Sequence, residues 1–356
     1  MQLVIGLIAF FFMLSVIVII HELGHFMVAR HFGVFCKEFS IGMGPLLYAK
    51  QGKETQFSIR AIPFGGYVMM AGEEDGSQDE EDDWLKNVPD EKRLNHKPRW
   101  QQILVMVAGV CMNVILAWVL FVGLSMTQGY VVEEPTAQVY EVAEGSPAQE
   151  AGLQPGDTIV KASDGEDTIE PETQYDLLEW LQYHHGNLEL SVKRDDQTLN
   201  VPITPQLDEE SNTYTLGYVV QAYAQPIPWY QGFYYGTLDI LDSSTAIFSA
   251  LAHLLQGEGL QNLSGPVGIA QVTTQATSMG LRSYLSLFAL ISLNIGIFNI
   301  LPIPAMDGGR ILILLLEKLF RRKINTKIVE NIIVASFVLL IGLFVFATYN
   351  DIIRLF

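Results

Sequence analysis

His21-Glu22-Leu23-Gly24-His25 closes an apolar run, Leu3 to Ile20, that carries no charged residue. If that run is helical and continues to Ala29, the two histidines lie one turn apart on the same face. That spacing lets both imidazoles reach one tetrahedral zinc, and it sets Glu22 beside them, where a carboxylate takes a proton from water. The chemistry such a set performs is hydrolysis by a Lewis acid and a base. Ionisable groups at membrane depth are costly and mark function, which sharpens a motif of only five residues. The alternative reading is a polar flank that marks where the helix leaves the bilayer.

A catalytic zinc takes three protein ligands and keeps a fourth position open. The best candidate for the third is Asp307, in the segment Asn299-Ile300-Leu301-Pro302-Ile303-Pro304-Ala305-Met306-Asp307-Gly308-Gly309. Two prolines and two glycines break the helix there, so the backbone can turn an acid back towards the first span. The alternative is an interfacial turn whose Asp caps a following helix, Ile311 to Phe320. His31, His96, His184, His185 and His253 lie in polar or interfacial contexts, without a partner at ligand spacing.

Composition sets the frame for these residues. Hydrophobic residues make up 49% of the 356-residue chain and charged ones 17%, the balance of a membrane protein. A formal charge of -18 argues against nucleic acid as a partner. Cys36 and Cys111 are too few for a disulfide framework and read as ordinary thiols. The first apolar run lacks the basic start and small-residue site of a cleaved signal peptide.

Four stretches reach the about twenty residues that a span needs: Leu3 to Ala29, Ile103 to Met126, Tyr284 to Leu301 and Ile332 to Thr348. Asn294 and Asn299 interrupt the third, which points to a cavity or protein interior beside it. Arg30 to Arg99 holds ten Lys or Arg and Lys318 to Lys327 holds five, whereas Gln128 to Arg282 holds four against 22 acidic residues. The positive-inside rule then makes the first two segments cytoplasmic and the third, with both termini, extracytoplasmic. On that topology His21, His25 and Asp307 share one depth near the cytoplasmic face.

Between spans one and two, Phe57, Ile59 and Ala61 alternate with Ser58 and Arg60, and Pro63-Phe64-Gly65-Gly66 reads as the turn of a hairpin too short to span, hence re-entrant. An open edge there, including Gly65 and Gly66, can pair with an unwound substrate, and the Asn299 amide can hold its backbone. The alternatives are an ordinary cytoplasmic sheet and a helix-helix hydrogen bond. The acidic run Glu73 to Asp83 reads as a solvated loop. The insert from Val139 to Pro205 reads as short strands with a helix near Thr173 to His185, strands at Leu188 to Val192 and Thr198 to Ile203, and a hairpin tip at Asp195-Asp196. Asp208 to Asn212 is a polar loop. Trp229 to Gln256 reads as an amphipathic helix at the outer interface.

HELGH in a first span, a distant NxxPxPxxDG and an outer domain between spans two and three resemble the bacterial site-2 proteases of the single-PDZ, sigma-factor-regulating kind. Gly42-Met43-Gly44-Pro45, Pro63 to Val68 and Ser264 to Ile269 are similar to segments of that family. Met306 stands where the family commonly has Leu, and Gly109-Val110-Cys111-Met112-Asn113 lacks the Pro that many members carry after the Gly. The resemblance implies one Zn2+ per chain on His21, His25 and Asp307, with Glu22 as general base. Gly145-Ser146-Pro147-Ala148 and Ala151 to Asp157 resemble a bacterial protease PDZ domain. Leu216-Gly217-Tyr218-Val219 is similar to its peptide-receiving loop, which would take an extended or C-terminal peptide. The alternative role for that domain is to exclude bulky proteins.

The expected fold is a polytopic α-helical membrane protein: four transmembrane helices, a re-entrant β-hairpin and an inserted extracytoplasmic α+β PDZ domain. The expected divisions are 1–127, 128–222, 223–282 and 283–356. The function implied is an intramembrane zinc endopeptidase of a bacterial cell membrane acting on single-span proteins such as anti-sigma factors or remnant signal peptides. A membrane-anchored zincin that cuts loops or soluble tails, and a non-catalytic PDZ receptor with a structural zinc, are the alternatives.

Overall fold

The computed structural model describes residues 2–73, 83–132, 135–195, 197–208, 213–257, 264–322 and 324–353. Two units emerge: residues 1–124, 233–249 and 261–356 form one, and residues 125–232 and 250–260 the other. Most of the acidic run, Asp196 and residues 209–212 lie outside the described residues.

The first unit opens with α1, Gln2–His31. It is apolar all round, as a helix in lipid must be when only its own backbone can satisfy its amides. One stripe is nonetheless buried: Gly6, Phe10, Met13, Ile17, His21, Gly24 and His25. The three- and four-residue steps of that stripe run without a break from packing residues into the histidines. Strands β1, Cys36–Gln51, and β2, Gln56–Met70, follow. The register shows more than one reversal here. The chain reverses at residues 52–55, where Gly52 N–H donates to the Thr55 carbonyl at 2.8 Å. It reverses again between residues 60 and 66, around the expected turn, and there Gly65 takes a φ of 81°. Residues 56–60 lie antiparallel to 46–51 and parallel to 38–41, and 66–70 runs antiparallel along the other side of 36–41. A proline lacking an N–H is tolerated at such a break in pairing. Buried Glu38 is held by Ser58 Oγ and by Arg60 Nη2 at 2.8 Å, so its charge is paired.

A short helix, α2, Asp83–Lys86, and two 3-10 turns at Asp90–Lys92 and Leu94–His96 lead into α3, Arg99–Gln128. α3 is one unbroken helix through Gly109 to Asn113, so the missing proline leaves it regular.

The second unit is an α+β insert. Short strands β3 (Tyr130–Val132) and β4 (Glu141–Val142) and the single helical turn α4 (Pro147–Glu150) come first. Then come β5 (Thr158–Ser163), β6 (Thr168–Ile169), α5 (Gln174–Leu181), β7 (Leu188–Arg194) and β8 (Gln197–Ile203). These strands form an antiparallel sheet in the order β6-β5-β7-β8. Leu188, Leu190 and Val192 alternate inward from β7 onto Leu177 and Leu181 of α5. Thr173 and Asp176 close a reciprocal capping box, which starts α5 one residue after the Thr expected at its beginning. The register pairs Arg194 with Gln197, leaving a two-residue tip in which Asp195 has a φ of 53°. β9 (Gln206–Asp208) pairs with β10 (Thr213–Thr215), β11 (Tyr218–Val219) with β4, and β12 (Ala224–Pro226) with β3.

Asp157 is fully buried in this unit and accepts from Arg194 Nε and Nη2, each at 2.7 Å, and from Gln154 N–H at 2.8 Å. The Arg194 guanidinium holds its carboxyl below the ordinary value of 3.8. A carboxyl depressed in the folded state stabilises it fully above the unfolded value, and that contribution is lost as pH falls through the lower folded value. Protection of the β5 and β7 amides, corrected for the intrinsic exchange rate, is therefore expected to fall as pH drops below about 4. Arg194→Ala should destabilise the insert at neutral pH, because it leaves the Asp157 carboxylate unpaired, and abolish most of that acid dependence.

A 3-10 turn at Trp229–Gln231 precedes α6, Gly232–Leu255, and Trp229, Tyr230, Phe233 and Tyr234 are all exposed. Then follow α7 (Pro266–Met279), α8 (Leu281–Ile300), α9 (Asp307–Phe320) and α10 (Thr326–Ile353). Among the described residues, four helices are long and apolar enough to cross a membrane: α1, α3, α8 and α10. α8 is the most enclosed, with 39% of its apolar window buried against 6% for α10, which fits the two asparagines in α8 and the all-apolar face of α10. Buried Asp351, near the end of α10, accepts from Gly268 N–H at 2.7 Å and so caps the first turn of α7.

Candidate metal centre

On α1 the rings of His21 and His25 meet edge to face with centroids 4.7 Å apart, and their Nε2 atoms are 3.1 Å apart. Asp307 arrives from the broken segment after α8. Its Oδ2 lies 3.2 Å from His21 Nε2 and 3.4 Å from His25 Nε2. The turn needs both following glycines. A Cβ on Gly308 would stand 2.1 Å from the Ile300 carbonyl oxygen, and one on Gly309 would stand 2.2 Å from that of Ile303. Asp307 is the first residue of α9 rather than its cap; Met306 occupies the cap and makes no side-chain bond. The capping alternative is thereby removed.

Three groups that bring lone pairs together need a cation between them. His25 Nδ1 is 2.8 Å from the Val105 carbonyl, which fixes the proton there and leaves Nε2 with its lone pair. Asp307 Oδ2 is buried and lacks a hydrogen bond of good geometry despite the short distances to both rings. Ligands about 2.0–2.1 Å from a tetrahedral zinc sit about 3.3 Å from one another. The observed separations of 3.1, 3.2 and 3.4 Å match that spacing, so the donor set fits zinc in number, type and geometry. Among the described residues no other three His, Cys, Asp or Glu side chains converge in this way.

α3 completes the setting. Asn113 is wholly buried, and its amide lies 3.3 Å from His21 Nδ1. Its Oδ1 otherwise has no partner among the described residues. With the amide turned so that Oδ1 accepts from Nδ1–H, both needs are met and His21 Nε2 is freed for a metal. Ser292 of α8 donates to the Asn113 carbonyl at 2.9 Å. Gly24 lets the helices close, since its Cβ would be 2.4 Å from the Ala108 oxygen. Asn113→Leu is expected to weaken zinc binding about 10- to 100-fold, measured by chelator competition, while leaving helix content unchanged.

Glu22 is half-buried, adjacent to His21 in the same turn. Asn299 is half-buried in the last turn of α8. Gly66 packs against Ser40 and lies 3.9 Å from Val18, one turn before His21, when a Cβ is placed on it. Gly65 and Gly66 are both buried. In the insert, the Leu216 side chain is 1% exposed within the core, so this residue can offer a peptide only its backbone. Gly217 takes a φ of 78° against Ser146, and Tyr218 donates to Gln174 Oε1 at 2.6 Å. The sequence reading missed Asn113, Gly109 and the Val105 carbonyl. An Asn inside an otherwise apolar span was the available signal for the first.

Residues 9–343 match the model of peptidase family M50. The chain is 37% identical over 356 residues to a Clostridium perfringens protein named among zinc metalloproteases, covering 99% of each. It is 33% identical over 354 residues to a similarly named Clostridium acetobutylicum protein, covering 99% of this chain and 97% of that one. The regulator of sigma-W protease RasP of Bacillus subtilis is 30% identical over 425 residues, with 98% of each chain covered. A match over nearly the whole length, joined to a donor set of the right spacing, assigns the family: this chain belongs to peptidase family M50, the site-2 proteases, and is a zinc metalloprotease.

Proposed function

We propose that the chain is an intramembrane endopeptidase of a bacterial cell membrane, holding one zinc per chain on His21, His25 and Asp307 and cutting single-span substrates. The observation that carries this reading is the convergence of those three side chains at 3.1–3.4 Å at one end of a helix long enough to span. Anti-sigma factors and remnant signal peptides are the substrate class, by likeness to a relative named for regulating sigma-W. A bound zinc supplies Lewis acidity that polarises the scissile carbonyl and makes water a nucleophile at neutral pH. Glu22 takes the proton from that water and returns it to the leaving amine. His25 stays oriented by the Val105 carbonyl and His21 by Asn113.

A helical substrate hides its scissile bond behind its own hydrogen bonds, so it must be drawn out as a strand. The β1–β2 hairpin is re-entrant in this reading and offers its edge near Gly65 and Gly66 to that strand, with the Asn299 amide holding substrate backbone. The excess of Lys and Arg in residues 30–99 and 318–327 puts the metal end on the cytoplasmic side and the insert and both termini outside. The insert acts as a PDZ domain, receiving a C-terminal peptide at the Leu216-Gly217-Tyr218 segment. The exposed aromatics from Trp229 to Tyr234 hold α6 at the outer interface.

Purified protein given a spanning peptide in bicelles and the same residues as a soluble peptide tests the reading. Cleavage of the first, abolished by chelation and restored by zinc, is expected. Equal or faster cleavage of the soluble peptide would instead indicate a membrane-anchored zincin.

A further inference from the structure

Two helix stripes run onward from the metal centre. On α9, Asp307, Arg310, Leu314 and Glu317 recur at three- and four-residue steps; on α3, Asn113, Gly109, Met106, Gln102 and Arg99 do the same in reverse. At one end of both stripes are the histidines, and at the other is a cavity of 310 Å³. The segment before α3 and the start of α10 close it.

Its polar wall carries Lys97, Arg99 and Arg310, and its apolar wall includes Met106, Leu314 and Ile333. The two carboxylates in the wall are engaged. Glu73 pairs with Arg310, while Glu317 lies 3.6 Å from Arg99 and accepts the Ile324 N–H at 3.0 Å. Lys97 is half-buried, and among the described residues it has no carboxylate within ion-pair distance. Lys97 lies two residues before α3 and Arg99 opens it, and Ile324 lies two residues before α10. On the topology proposed above, the cavity lies at the depth where headgroups meet acyl chains. Beside it, Ile328 and Ile332 continue an exposed apolar surface along α10.

We propose that this cavity binds the phosphate headgroup and upper acyl segment of an anionic phospholipid. Cationic pockets between spanning helices on the cytoplasmic side suit such headgroups. The flank of a substrate span fits less well, because cytoplasmic flanks are rich in Lys and Arg, the sign already in excess on this wall. The leaflet rests on the topology proposed above, whereas the site does not depend on the protease mechanism.

The test is native mass spectrometry of the detergent-purified full-length chain with phosphatidylglycerol, phosphatidylcholine or inorganic phosphate. Selective retention of phosphatidylglycerol is expected, weakened about fivefold by Lys97→Gln. Ile333→Trp, which fills the apolar side without changing charge, should weaken it as well, so the proposal does not hang on one variant. Glu22→Gln should retain the lipid fully, which separates this result from the fate of the protease reading. Equal retention of the two lipids, or retention indifferent to both cavity variants, would overturn the proposal. Displacement by inorganic phosphate would mark a small-anion site, and displacement by a spanning peptide would give the cavity to substrate; either outcome overturns it too.

Discussion

Glu22→Gln is expected to lower cleavage of a spanning substrate by about two to four orders of magnitude and to leave zinc content at the parent's level. General-base assistance accounts for about 100- to 10,000-fold of rate, and the amide that replaces the carboxylate cannot accept the proton. The swap keeps shape, so packing around α1 is undisturbed. It also keeps the three converging atoms, because Glu22 is not one of them. Single-turnover cleavage read beside zinc stoichiometry separates chemistry from metal binding. A residual rate within tenfold of the parent would require another base and remove Glu22 from the mechanism.

The second large effect concerns a residue with no chemistry of its own. A methyl group on Gly109 would stand 2.4 Å from His25 Nε2, 2.7 Å from His25 Cε1 and 2.8 Å from His21 Cε1. Neither ring can simply yield. His25 is pinned through Nδ1 to the Val105 carbonyl and His21 is tied to Asn113, both on the same helix as the intruding methyl. Gly109→Ala is thus expected to weaken zinc binding more than 100-fold by driving both ligands from their positions. Alanine also favours the helix by about 1 kcal/mol over glycine, so α3 itself should be at least as stable. Loss of zinc with helix content and membrane insertion intact is the expected combination, measured by chelator competition and circular dichroism. Parent-like zinc affinity would mean that α3 can slide away from α1, contrary to the tight crossing at Gly24 and Ala108.

How far the sequence carries depends on the range over which each feature is determined. His21, Glu22 and His25 are readable because a helix turns a four-residue spacing into a shared face. Asp307 is readable because prolines 302 and 304 and glycines 308 and 309 announce a break that a plain span would not contain. Gly109 and Asn113 were visible only as a departure from a pattern. Their meaning is a distance across two helices, with Asn113 92 residues from the ring it meets. The reversal over residues 60–66 was readable from Pro63, Gly65 and Gly66, whereas the one at Gly52 to Thr55 was not placed, and the strands on either side of the first pair with residues 36–41 rather than with each other. Asp351 drew no notice beside the carboxyl end, although it caps a helix that starts 85 residues earlier at Pro266.

The breaking of the ligand set between α1 and the start of α9 also has a bearing on biosynthesis. A ribosome adding about 5–20 residues per second finishes the two histidines long before it reaches Asp307. Throughout that interval the nascent chain holds half a coordination sphere and no competent hydrolase. With the proposed ligand set, hydrolysis becomes possible only once synthesis has passed Asp307 and its carboxylate has met the two histidines.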